Sequence, residues 1–272
     1  MPATVAEINA VIEGLWPLSG VEEWDAPGLL VGDPAAVVQS IHLAVDAVAD
    51  TVDEALQLGA GLLLVHHPLL LRGVTSVAED RYKGALISRL IRGGCALVAA
   101  HTNADVVETG TSAVIAQELQ LLDTHPIVPG TDPDRGLGRV GRLAEPMTLG
   151  RLARALADIL PPTASGVRVA GDYERPVETI ALCGGAGDSL LSNPAVLSAD
   201  VYVTSDLRHH PASEARENAR LFGGPALIDV SHWASEWLWL ETAAAELRER
   251  LPGVDVTVSE LRTDPWDFAI VQ

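Results

Sequence analysis

The chain has 272 residues, 48% of them hydrophobic, enough for one large or two modest folded domains. Its 37 acidic and 18 basic side chains give a formal charge of -19, a field that repels phosphate backbones and anionic membranes, so neither nucleic acid nor membrane is an expected partner. Two cysteines provide neither a disulfide framework nor a CxxC zinc site, and no apolar run approaches the ~20 residues of a spanning helix; with no leader-like N-terminus, the cytoplasm is the expected location.

Thr4 and Glu7 have capping-box spacing ahead of Ile8, Val11, Ile12 and Leu15, which predicts a short amphipathic helix. "SIHLAVD" (40–46) reads as a strand, "DTVDEALQLG" (50–59) as a helix capped by Asp50 and stopped by Gly59, and "GLLLVHH" as a second strand. "YKGALISRLIRGG" then reads as a helix and "CALVAAH" as a strand, a βαβ order that predicts a mainly parallel sheet covered by helices. Residues 126–139, rich in Pro, Gly and Asp without apolar period, mark an expected domain junction. Beyond it come a helix ("TLGRLARALADIL"), strands ("GVRVAG", "VETIALC", "DVYVTSD"), a helix over 211–220, the strand "ALIDVSH", a long helix over 233–249 and the strand "VDVTVSE".

Polar residues recur where these strands end: Asp46, His66 and His67, His101, Asp206 and His232. In open parallel sheets ligands bind outside the carboxyl ends of strands, so one polar cluster is expected there. His101 and Asp105 are four apart, as are His232 and Glu236, and either pair shares a face of a helical backbone. Imidazole with carboxylate suits divalent Zn, Mn, Fe or Ni without distinguishing them. Adjacent His66 and His67 point to opposite faces of a strand and suit two neighbouring ions better than one; Asp105 and Glu236 are the carboxylates available to bridge. The chemistry usual for such a centre is metal-assisted hydrolysis.

Taken in order, "WDAPGLLVG", "HHPLLLRG", "AHTNAD", "CGGAGD", "TSDLRHH" and "DVSHWASE" resemble the motifs of the hexameric, Nif-three-like dinuclear-metal-centre family of GTP cyclohydrolase 1 type 2 homologues, from about Trp24 to Trp266. The resemblance implies two α/β domains with mainly parallel sheets, 1–126 plus 222–272 around a second domain at 127–221, and a metal site at strand ends between N- and C-terminal segments. It implies two divalent ions per chain held by His66, His67, Asp105, His232 and Glu236, and a toroidal homohexamer. Some relatives carry a further central domain, which 272 residues leave no room for. Ala26 and Pro27 depart from the usual "WDNxGL".

The activity so implied is hydrolysis of a small nucleotide-like or phosphorylated molecule, with Glu236, His101, Asp206, His209 and His210 as candidate catalytic residues; the alternative is a non-catalytic metal-binding oligomer serving as regulator, metal carrier or assembly factor. "CGGAGD" reads first as a tight turn and second as a phosphate cradle. Arg139, Arg142 and Arg208 are candidate contacts for an anionic ligand, the tryptophans around 233–239 read as packing, and Ser205 and Ser231 lack the nucleophile-elbow pattern.

Overall fold

Leu62, Leu63, Leu64 and Val65 are each at most 1% exposed, the two-sided burial of a central parallel strand. The protein, described here over residues 2–270 of a computed structural model, divides into two units: the chain up to Ala104 with Leu240–Thr263, and Asp105–Trp239 with the segment from Asp264.

In the first unit five strands lie in the order Asp255–Val258, Ser40–Asp46, Leu62–His67, Ala96–Ala99, Gly28–Val31, all parallel except the last. Register sets Asp46 opposite His67, so two chemically active side chains meet at neighbouring strand ends. Val52 and Ala55 of the Ala49–Gln57 helix and Leu86, Ile87 and Leu90 of the Tyr82–Gly93 helix pack with Leu63, Val65, Leu97 and Ala99. Each large apolar side chain buried there contributes about 1.5–3 kcal/mol. The expected capping box is present: the Glu7 N–H donates to Thr4 Oγ1 at 3.2 Å and the Thr4 N–H to Glu7 Oε2 at 2.7 Å. The next helix begins at Ala49, not at an Asp50 cap. Val48 takes the cap position, its N–H donating to Thr51 Oγ1 at 3.1 Å, and Asp50 falls in the first turn, where its charge suits the helix dipole.

The second unit holds six strands in the order Arg168–Ala170, Ala226–Val230, Val201–Ser205, Pro176–Ala186, Arg139–Thr148, Leu122–His125. The central three are parallel, as expected, and antiparallel strands close both edges. Leu122–His125 pairs with Arg139–Thr148, so residues 126–139 connect two neighbouring strands of one sheet instead of joining domains. The first unit therefore ends at Ala104, earlier than the boundary at 126, and the parallel pairing of Ala226–Val230 with Val201–Ser205 keeps His232 and Glu236 in the second unit. The long helix expected over 233–249 is two, His232–Trp237 and Trp239–Arg250, and the chain passes from one unit to the other between Trp239 and Leu240. Among the described residues no helix is long and apolar enough to cross a membrane.

Candidate functional site

In the first unit, His66 and His67 end the Leu62–His67 strand and His101 follows the Ala96–Ala99 strand. One ring nitrogen from each of these three histidines lies within 4.8 Å of the others. The ring centroids of His66 stand 5.1 Å from those of both His67 and His101. His101, read from sequence as a candidate catalytic residue, is thus one of three converging imidazoles. Each is oriented from behind by a different neighbour: the Nδ1–H of His66 donates to the Ala100 carbonyl, that of His67 to Asp46 Oδ1 and that of His101 to Asp25 Oδ1, all at 2.8 Å. His67 is tied to the end of the Ser40–Asp46 strand and His66 to the residue just after the Ala96–Ala99 strand, the two neighbours of their own strand. A carboxylate or carbonyl that accepts from Nδ1–H fixes the ring's orientation, the usual outer partner of a metal-ligating histidine.

Asp25 also accepts from the Thr102 N–H at 3.1 Å, Thr102 Oγ1 at 2.5 Å and the Ala26 N–H at 2.7 Å. Burial alone would raise its carboxyl, but the hydrogen bonds from His101 and Thr102, the His101 charge and the Ala26 amide outweigh that and hold it at about 2. Asp46 is fixed by Thr263, whose hydroxyl donates to Oδ2 at 2.5 Å. Asp25 was legible only as part of the "WDAPG" motif; its partnership with residue 101 is a tertiary fact.

In the second unit, the His232–Trp237 helix starts on a Ser231 cap and presents His232 and Glu236 one turn apart, with His232 Nε2 2.9 Å from Glu236 Oε1. His232 Nδ1–H donates to Asp206 Oδ2 at 2.7 Å, so Asp206 orients the imidazole. Asp206 adopts a left-handed φ of 57° just beyond the Val201–Ser205 strand. Burial would depress the His232 pKa, but Glu236 and Asp206 flank the ring and push it up to about 11. The hydrogen bond from His232 in turn lowers Asp206. Asp105 accepts from Thr111 Oγ1 at 2.6 Å.

The "CGGAGD" run has a packing cause. A Cβ on Gly185, which has φ +68°, would stand 2.5 Å from Glu236 Oε1 and 3.3 Å from His232 Nε2, and one on Gly187 would meet Tyr202 Oη at 2.2 Å. The Gly185 N–H donates to Ser235 Oγ at 2.9 Å. The run is a close-approach surface for the helix that carries His232 and Glu236, in line with the tight-turn reading.

The remaining expectations divide. His209 and His210 open the His209–Phe222 helix, exposed and 5.2 Å apart by centroid, outside the convergent imidazoles. Arg139 is buried and clamps the carbonyls of Gly136, Gly138 and Val107, while Arg142 pairs with Asp123 and Arg208 with Asp188, so all three candidate anion contacts have partners. Ser231 caps a helix, and Trp233 and Trp239 are buried, as packing requires. Cys95 and Cys183 are free, buried thiols; burial, with Asp105 and Glu236 adding to it at Cys183, pushes them up to about 11 and about 12.

The donors fit divalent cations: imidazole rings tied from behind, a carboxylate beside His232, and a glycine surface that leaves that carboxylate room. Residues 3–265 match the model of the Duf34/NIF3 (NGG1p interacting factor 3) family. The chain is 47% identical over 269 residues to a GTP cyclohydrolase 1 type 2 homolog of Streptomyces coelicolor, covering 96% of this chain and 93% of the relative. It is 35% identical to the protein of the same name from Mycobacterium tuberculosis, covering 98% of each, over an alignment of 376 positions that leaves a segment of that relative without counterpart here. A Staphylococcus aureus hypothetical protein of known structure superposes with a TM-score of 0.89 at 27% identity, covering 99% of this chain and 100% of that one. By these matches, and by the ordered motifs that carry its donors, the chain belongs to the Duf34/NIF3 family.

Proposed function

We propose that this protein holds two divalent metal ions through His66, His67, Asp105, His232 and Glu236 and hydrolyses a small nucleotide-like or phosphorylated molecule. The observation that carries the reading is the set of Nδ1 partners: Ala100, Asp46, Asp25 and Asp206 each restrain one histidine, an arrangement wasted on side chains that merely cap strands. Bound divalent ions supply Lewis-acid polarisation of a substrate oxygen and acidify water. The chain's own part is to orient the imidazoles, to keep Glu236 in place against Gly185, and to offer Glu236 and His101 as groups that hold or move a proton. The names of the curated relatives support a purine nucleotide such as GTP as a first substrate to test.

In this reading the working form is a cytoplasmic homohexamer, a toroid by resemblance. A second reading, a metal-binding oligomer without catalysis, draws on Ala26: where relatives commonly place Asn, residue 26 here gives Asp25 its backbone N–H and brings no polar side chain. Elemental analysis of the purified chain beside Glu236→Ala, followed by a nucleotide and phosphoester screen with the metal found, separates the outcomes. About two ions per chain with metal-dependent turnover lost in Glu236→Gln supports the enzyme. Full occupancy with no turnover supports the second reading, and no metal after reconstitution ends both.

A further inference from the structure

A cleft of about 420 Å³ opens in the second unit between the edge strand Arg168–Ala170 and the His209–Phe222 helix. It lies wholly in that unit and owes nothing to the metal reading. Its helical wall is formed by His209, Ala212, Ser213 and Arg216, at spacings that place them along one helix face. Arg168 lines the opposite side and pairs with Asp229, a nearly buried carboxylate that also accepts from the Leu207 N–H at 3.3 Å. Arg216 has no carboxylate partner among the described residues, whereas the three arginines singled out in the sequence are all engaged.

The electrostatics of this cleft run against those of the molecule. In a chain of net charge -19, it gathers two guanidinium groups and an imidazole around one carboxylate. The helix that forms its wall begins with Arg208 at the cap, makes no side-chain capping bond there and has no acidic residue in its first turn. Its amino end therefore keeps its positive potential, the condition under which helix ends attract anions. Apolar Leu207 and Leu227 also line the cleft. Small-molecule sites run from roughly 300 to 1,000 Å³, so the volume holds an organic group as well as an anion.

We propose that this cleft binds a small organic phosphate monoester, with the phosphate held by Arg216, His209 and the amino end of the His209–Phe222 helix and the organic part against Leu207 and Leu227. A doubly charged, tetrahedral anion makes full use of these donors. Arg168, already paired to Asp229, sets the floor of the cleft.

The test is calorimetric titration of the full chain, as purified and after chelation, with phenyl phosphate, inorganic phosphate and benzoate. Phenyl phosphate binds most tightly, chelation leaves that binding in place, Arg216→Gln weakens it about tenfold or more, and Glu236→Ala does not change it. Arg216 is exposed on a helix, so its variant keeps the fold, and His209→Ala, at another exposed position, provides a second, independent loss. Absence of saturable phenyl phosphate binding overturns the proposal. So does binding that disappears with Glu236→Ala or chelation while persisting in Arg216→Gln, because the phosphate would then be held by metal, and so does benzoate binding as tightly as phenyl phosphate.

Discussion

Glu236 and Gly185 are built against each other: a methyl group on Gly185 would stand 2.5 Å from Glu236 Oε1. Gly185→Ala therefore moves the carboxylate, and because φ there is +68° it also strains the backbone by about 1–2 kcal/mol. Gly166, at φ +56° with nothing within 4 Å, isolates the second effect. Gly166→Ala loses only the backbone term in denaturant titrations, Gly185→Ala loses more, and only Gly185→Ala loses bound metal. Equal metal content in the two would detach Glu236 from the proposed metal site.

Asp25, Asp46 and Asp206 each hold one imidazole by its Nδ1–H. Their Asn variants keep the fold and weaken metal affinity by about 10–100-fold, the effect of losing an orienting carboxylate. Asp53→Asn, which breaks only an exposed pair with Arg89, leaves affinity unchanged and is the control. Competition with a chelating indicator measures all four; affinities that match the wild type across the set would remove the main support for the proposed function.

The acid limb of stability reads the same network. Asp25 is held at about 2, below its ordinary 3.8, so its contribution is fully present above 3.8 and is lost as pH falls towards 2. A shift of this size is worth on the order of 2 kcal/mol. On chelated protein, the stability gap between wild type and Asp25→Asn is widest near neutrality and closes as pH falls through that window. A gap independent of pH would mean that Asp25 acts through shape alone.

What could be read in the sequence was local. The apolar run before His66, the Thr4–Glu7 box and the four-residue spacing of His232 and Glu236 each depend on residues close in the chain, and each has its expected form. Partnerships across sequence were not readable: Asp25 meets His101 from 76 residues away, and Thr263 meets Asp46 from 217. Residues 126–139 misled because a Pro- and Gly-rich connection has the same composition whether it joins domains or neighbouring strands. The helical break at Leu238 was hidden because its backbone stays in the right-handed helical region and no Gly or Pro stands near it.

Thiol chemistry tests the burial of the two cysteines. Cys95 and Cys183 are buried, with pKa values pushed up to about 11 and about 12, so the reactive thiolate is scarce at neutral pH and shielded where it exists. A thiol-specific chromogenic reagent leaves both unmodified in the folded protein and titrates both in denaturant. Fast labelling of the native chain would show that one of these cysteines is accessible and ionised.

Loading of the proposed metal site is expected to release protons, with His232 setting how many. Flanked by Glu236 and Asp206, its imidazole is pushed up to about 11, so in the metal-free chain it carries its proton throughout the neutral range. A cation accepted by Nε2 takes the place of that proton, so metal affinity rises with pH over this range, and about one proton per chain leaves His232 on loading. Calorimetric metal titrations in buffers of differing ionisation enthalpy count the protons released. Glu236→Gln and Asp206→Asn each remove one of the charges that hold the proton, so the count near neutrality falls in both. A wild-type chain that loads metal with no proton release would show His232 already neutral and would exclude it as a ligand that exchanges a proton for a metal ion.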